Sequence, residues 1–201
     1  DKVAYQRNYF ISYPANVMVV RFSADRPGKQ NLVFSYAPNP VSTGSMAADG
    51  SNGLVYSASL DNNGMKYVVR IQAETKGGTL ANTDGKLTVN GADEVVFYIT
   101  ADTDYKPDFD PDFKNPKAYV GVNPAETTKQ WMENAVASGY AALFNQHYED
   151  YAALFNRVKL NLNPVMNRIN VPTSQRLKNY RKGQPDYYLE ELYYQFGRYL
   201  L

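Results

Sequence analysis

The stretch Tyr67-Val68-Val69-Arg70-Ile71-Gln72-Ala73-Glu74 decides the fold. Tyr67, Val69, Ile71 and Ala73 fall on one face of an extended chain, and Arg70, Gln72 and Glu74 on the other. Such a period of two marks a strand with one buried side. The same alternation flanks it in both directions. Upstream, Met18, Val20 and Phe22 share a face; downstream, Val95, Phe97 and Ile99 do so. Turn chemistry separates these runs. Asp61-Asn62-Asn63-Gly64 lies between two of them, and its Asn63-Gly64 pair predicts a type I′ hairpin, because both residues tolerate positive φ. Thr83-Asp84-Gly85, Asn90-Gly91 and Arg26-Pro27-Gly28 punctuate other runs. Strands joined by short turns predict an antiparallel β-sandwich over residues 1–105. The Gly-, Ser- and Ala-rich segment from Pro38 to Gly53 reads as a long loop with room for a short strand. A loop of that length is suited to reaching a ligand or a neighbouring domain.

After the sandwich the pattern changes. Residues 106–123 hold Pro107, Pro111 and Pro116, which break both helix and ladder, and read as a linker or extended arm. Residues 124–158 predict a helical connector. Asn123 can cap it, Pro124 suits the first helical position, and Glu126 stands where a capping-box acid belongs. Ser138-Gly139 predicts a break. Beyond it Tyr140, Leu143, Phe144, His147, Tyr151, Leu154, Phe155 and Val158 form one apolar stripe. Within the stripe Tyr140-Ala141-Ala142-Leu143-Phe144-Asn145 recurs as Tyr151-Ala152-Ala153-Leu154-Phe155-Asn156. The offset is close to a whole number of helical turns, so both copies face one way. Residues 159–188 read as extended, with a short helix over Thr173–Tyr180. Asp186 can cap a last helix, residues 189–201, whose stripe is Leu189, Leu192, Tyr193, Phe196, Tyr199 and Leu200. That stripe runs to Leu201 with no stop signal, which predicts a further domain beyond it.

The totals set bounds. The 201 residues are 44% hydrophobic and 20% charged, the balance of a folded domain. A formal net charge of +1 provides no global field for nucleic acid, and no apolar run reaches the roughly 20 residues that span a bilayer. Neither nucleic acid nor a membrane span is therefore expected. With no cysteine, disulfides, thiolate metal sites and a Cys nucleophile are excluded. The 18 tyrosines suit half-buried sheet faces and wet surfaces.

Each candidate for chemistry has a plainer competitor. Asp108-Phe109-Asp110-Pro111-Asp112 opens like a calcium loop, but Phe113 and Tyr119 stand where that loop needs Gly and a bidentate Glu. His147 is the only histidine and lies on the apolar stripe, so a packed, hydrogen-bonded role is expected. The carboxylates of Glu149-Asp150 and Glu190-Glu191 are neighbours on helices and diverge, whereas glycosidase acids face each other roughly 5 to 9.5 Å apart. Arg176, Lys178, Arg181 and Lys182 surround Tyr180, and pairing with acids of a neighbouring domain is the favoured reading. Trp131 could stack on a sugar, though core packing is the commoner fate of such a residue. No catalytic residue, metal ligand or cofactor site is assigned from these patterns, and substrate-binding residues stay unassigned.

Several segments, taken in order, resemble a known family. Phe10-Ile11-Ser12-Tyr13-Pro14 leading into Val17-Met18-Val19-Val20-Arg21 resembles its early strand pair, and Gly91-Ala92-Asp93-Glu94-Val95 the start of a later strand. His147-Tyr148-Glu149-Asp150-Tyr151, continuing through Leu154-Phe155-Asn156-Arg157-Val158, resembles its connector helix. Pro172-Thr173 with Arg176-Leu177 fits its extended stretch, and Tyr194-Gln195-Phe196-Gly197-Arg198-Tyr199-Leu200-Leu201 the first helix of its catalytic domain. The family is glycoside hydrolase family 95, the α-L-fucosidases and α-L-galactosidases. The resemblance implies a β-sandwich and helical linker leading into an absent (α/α)6 barrel, with the first strands of the sandwich also missing. It implies a secreted or periplasmic parent that releases terminal α-linked L-fucose or a related L-sugar with inversion and without a metal. The implied general acid Glu, and the Asn and Asp residues that activate water, all match positions beyond Leu201. The chain itself is thus expected to be a non-catalytic scaffold whose partners are the parent's barrel and, through it, a glycan. The alternative is a stand-alone carbohydrate-binding or interaction module.

Overall fold

The computed structural model describes residues 2–109, 114–115, 117–162 and 170–200. Among these residues the strands are β1 (Tyr5–Ser12), β2 (Val17–Ala24), β3 (Gln30–Ser35), β4 (Ser42–Ala48), β5 (Gly53–Leu60), β6 (Lys66–Lys76), β7 (Thr79–Thr83), β8 (Lys86–Ala92) and β9 (Glu94–Thr103). The helices among them follow: α1 (Pro124–Phe155), α2 (Thr173–Tyr180) and α3 (Tyr187–Tyr199). The strands form two antiparallel sheets, a six-stranded one ordered β1-β2-β9-β6-β5-β4 and a three-stranded one ordered β3-β8-β7. The expected antiparallel β-sandwich followed by helices is therefore present. The chain forms two compact units, Asp1–His147 and Tyr148–Leu201.

Apolar alternation builds the first core. Val20, Leu54, Ile71, Ala73 and Phe97 from the large sheet meet Leu87 and Val89 from the small one, and most of these are fully buried. Phe97 is its centre, stacked on Phe34 at 4.8 Å and met edge-on by Phe22 at 6.2 Å. Burying one such ring contributes about 1.5–3 kcal/mol. The large sheet is also covered on its outer face. There Phe10, Val17, Val19, Val96 and Tyr98 pack against Met132, Ala135 and Leu143 of α1. Two buried faces explain why Val95, Val96, Phe97 and Tyr98 are buried without a break. A buried bond from Thr100 Oγ1 to the Thr128 carbonyl, 3.0 Å, ties β9 to α1.

Two turn readings need correction, and one loop gains its strand. The Pro38–Gly53 segment carries the short strand it had room for: β4 pairs with β5 over its whole length as the edge of the large sheet. Small residues there serve a close approach: a Cβ on Gly44 would lie 2.3 Å from that of Ala58. The Asn63-Gly64 turn is not type I′, since Gly64 alone has positive φ and the Asn63 side chain instead accepts from Met65 N. Two-residue turns with both φ positive stand instead at Asp84-Gly85, which joins β7 to β8, and at Gly77-Gly78, between β6 and β7. Asn90-Gly91 does not reverse the chain. It forms a bulge in β8, where Gly91 N donates to Asn31 Oδ1 at 2.9 Å.

The two ends of the Pro-rich stretch meet. Lys106 N donates to Tyr119 O at 2.7 Å, Gly121 N donates to Asp104 O at 2.6 Å, and the Tyr105 and Tyr119 rings stack at 5.9 Å. Asn123 then caps α1 through Ala125 N at 3.0 Å. The helix bends at Gly139, whose φ of 74° and ψ of 167° lie far from helical values. That is the break expected at Ser138-Gly139.

Candidate functional site

The unit from Tyr148 on is held by two arginines. Arg176 of α2 is 2% exposed and donates through Nη1 to both carboxylate oxygens of Asp186, at 2.8 and 2.7 Å. Its Nε donates to Val171 O at 3.1 Å, and its guanidinium lies 4.5 Å over the Tyr188 ring. Asp186 simultaneously caps α3 by accepting from Leu189 N at 3.0 Å. One carboxylate thus orients one helix and neutralises the other's buried cation. Arg198 of α3 does the matching work at the end of α1. It donates to Val158 O at 2.8 Å and to Phe155 O, and stands 4.5 Å over the Phe155 ring. The last turn of α1 carries no basic residue; Arg157 just beyond it donates to Ala153 O at 3.1 Å, and Arg198 of α3 adds a second cation at its free carbonyls.

The basic cluster is therefore divided. Arg176 does not await an acid from another domain: its partner is Asp186, ten residues on. Lys178, Arg181 and Lys182 are exposed. The paired acids also point to separate structural duties. Glu190 accepts from Tyr180 Oη at 3.1 Å, Glu191 accepts from Leu162 N, and Glu149 and Asp150 are exposed. His147 stacks on Phe10 with ring centres 5.2 Å apart, beside Tyr140 and Phe144 on the same ring. Trp131 is half-buried and belongs to neither core cluster. In the calcium-like stretch, Asp110, Pro111 and Asp112 lie outside the described residues. Among the described residues no three His, Cys, Asp or Glu side chains gather as a metal site.

The repeat is a packing device with two different partners. Its first copy sets Tyr140 and Phe144 on Phe10, and its second sets Tyr151 on Phe155 at 5.0 Å and on Tyr199 at 5.4 Å. Sequence reading missed Arg198 as the α1 cap. Its signal was indirect: one Arg among aromatics on the following helix. The same unit carries an apolar groove of about 300 Å³ between α2 and α3, lined by Leu177, Leu189, Leu192, Tyr193 and Phe196.

The first unit is thus a two-sheet sandwich with a kinked helix across the outer face of its larger sheet. The comparisons relate the chain, segment by segment, to glycoside hydrolase families. Residues 1–108 match the family described as "Glycosyl hydrolase family 65, N-terminal domain", and residues 139–201 match "Glycosyl hydrolase family 95 catalytic domain". The chain belongs to the first family by its sandwich, and its helices carry the family 95 pattern that the ordered segments resemble. It is similar to "Probable alpha-fucosidase A" of Aspergillus niger, 30% identical over 97% of this chain and 25% of that protein. It is also similar to "Alpha-L-fucosidase 2" of Arabidopsis thaliana, 25% identical over 99% of this chain and 26% of that protein. The chain thus spans about a quarter of the length of these curated relatives. A solved structure provisionally named a kojibiose phosphorylase from the human microbiome aligns with a TM-score of 0.48 at 7% identity, over 77% of this chain and 22% of that one.

Proposed function

We propose that this chain is the N-terminal scaffold of an inverting, secreted exo-glycosidase that releases terminal α-linked L-fucose or a related L-sugar from glycans. The observation that carries the reading is the order of the two matches along one chain: a hydrolase N-terminal domain over residues 1–108, then the start of a catalytic-domain pattern over 139–201. The names of the two relatives point to the sugar. The structural duties of the acids support a scaffold role. Asp49, Asp186 and Glu190 each accept bonds from an internal Arg or Tyr. The partner of the α2–α3 groove is then the remainder of the catalytic domain in the same polypeptide. Exposed Leu192, Tyr193 and Phe196 offer the apolar rings that helix-on-helix packing needs.

Assay of the 201-residue chain and of the longer gene product on nitrophenyl α-L-fucoside and α-L-galactoside tests this. The longer product should turn over one of the two, with NMR showing the inverted anomer first, and the 201-residue chain should turn over neither. Hydrolysis by the chain alone would overturn the scaffold reading, and a longer product inert on both sugars would overturn the specificity.

A further inference from the structure

A second feature of the sandwich unit is a polar cleft of about 600 Å³ on the outer face of the large sheet. Strand geometry places its groups. Glu74 lies opposite Val96 and Lys76 opposite Glu94 in the β6–β9 ladder, so alternation brings Glu74, Lys76, Glu94 and Tyr98 to one face. The bend at Gly139 sets Tyr140 as one wall, and the turn before β5 sets Asn52 as another. These walls are held in place. Tyr98 Oη donates to Glu74 Oε2 at 2.8 Å, Asn52 Nδ2 donates to Ala73 O at 3.0 Å, and Arg21 donates to Glu94 Oε2 at 2.5 Å while lying 4.7 Å over the Tyr140 ring.

We propose that this cleft is a non-catalytic subsite for a neutral saccharide. Each carboxylate spends one oxygen on an internal donor and leaves its Oε1 without a partner among the described residues. A carboxylate has lone-pair sites for several donors, so both stand as oriented acceptors for sugar hydroxyls. Lys76 supplies a donor directly opposite Glu94. The two acids are balanced by Lys76 and Arg21, which removes the net field that an ionic ligand would need. Locked acceptors also limit the ordering cost of binding. A volume of about 600 Å³ falls in the usual range of ligand clefts. The choice of fucosylated probe rests on the glycosidase reading above, whereas the cleft's preference for neutral hydroxyl-bearing ligands does not.

The test is NMR titration of the 201-residue chain with 2′-fucosyllactose, lactose and the anionic 3′-sialyllactose. The neutral sugars should give saturable shifts clustered at residues 51–52, 73–76, 94–98 and 140, with sialyllactose weaker. Glu74→Gln keeps an acceptor for Tyr98 but removes the charge facing the cleft. It should lower affinity about tenfold, as loss of a charge-assisted hydrogen bond does, without moving the melting temperature. Lys76→Ala should act in the same direction. Shifts elsewhere, no saturation, or full affinity in both variants would overturn the subsite. Turnover by the longer gene product with no binding here would sink the subsite alone. Binding here by a longer product that cleaves neither the fucoside nor the galactoside would sink the proposed sugar specificity alone.

Discussion

The sandwich unit and the helical unit hold themselves together by different physics. In the sandwich, Leu54, Ile71, Leu87, Val89 and Phe97 are wholly buried, and apolar area removed from water carries the stability. In the helical unit Leu189 is the one buried hydrophobic side chain among the described residues, while Tyr193 stays 80% exposed and Phe196 54%. What fixes α2 and α3 is polar: an Arg176–Asp186 pair in which Nη1 meets both carboxylate oxygens, and Arg198 on the Phe155 and Val158 carbonyls. Apolar burial is tolerant of detail, because volume can be redistributed among neighbours. A buried ion pair is not, because losing one partner strands the other. The sandwich should therefore soften gradually under substitution, and the helical unit should fail at a single residue.

Arg176→Ala presses hardest on that contrast. It leaves the mostly buried Asp186 uncompensated, which costs about 3–5 kcal/mol. Hydrogen exchange should show the amides of α2 and α3 losing protection while those of β6 and β9 keep theirs. If the strands lose protection equally, the two units do not differ in the way described here. Arg176→Lys should rescue little, since one ammonium cannot at once meet Asp186, donate to Val171 O as Nε does, and lie flat over the Tyr188 ring.

The sandwich was legible because burial imposes a period of two, and the residues that made it so were Met18, Val20, Val69, Ile71 and Phe97. Caps were legible for a similar reason: Asn123 and Asp186 fulfil a local need that no distant contact alters. The bounds and pairing of the edge strand β4 were not legible, since Ser, Gly and Ala lack strand propensity and only pairing with β5 fixes them there. The Asn63-Gly64 turn failed because one side-chain bond, Asn63 Oδ1 to Met65 N, favours another geometry. The Arg176 partner was misjudged because a cluster of like charges on paper says nothing of which member points inward. Nor could the sequence show that Glu74 and Glu94 share a face with Lys76, since that depends on the β6–β9 register.

Gly139 sharpens the comparison from the sandwich side. Its φ and ψ fall in a region that only glycine occupies readily, and a Cβ there would meet nothing within 4 Å. Gly139→Ala therefore strains the backbone without any clash, at a cost of about 1–3 kcal/mol. The variant should melt earlier and weaken the packing of Leu143 and Tyr140 on the outer sheet face, read by near-ultraviolet circular dichroism. Ser138→Ala, next door and exposed, should melt close to the parent. Equal melting of both variants would mean the bend is not what seats α1 on the sheet.

Tyr98 gives the smallest effect and the one with a pH signature. It is fully buried in the outer core, yet its phenol donates to Glu74. Burial, and then the Glu74 carboxylate, raise its pKa well above the ordinary phenol value of about 10. Below that value the phenol is protonated in both states and its contribution is constant. Above it the unfolded phenol ionises first, so the native state holds more protons and stability falls as pH rises. Tyr98→Phe removes both the hydrogen bond and the titration. At pH 8 it should cost about 1 kcal/mol, the usual net worth of such a bond near solvent. Between pH 10 and 11, a range set by that reference value, urea melts of the variant should lose stability less steeply than the parent. The parent-minus-variant difference cancels the other tyrosines. A difference that does not shrink with rising pH would mean that the Tyr98 phenol ionises as readily in the folded core as in the unfolded chain.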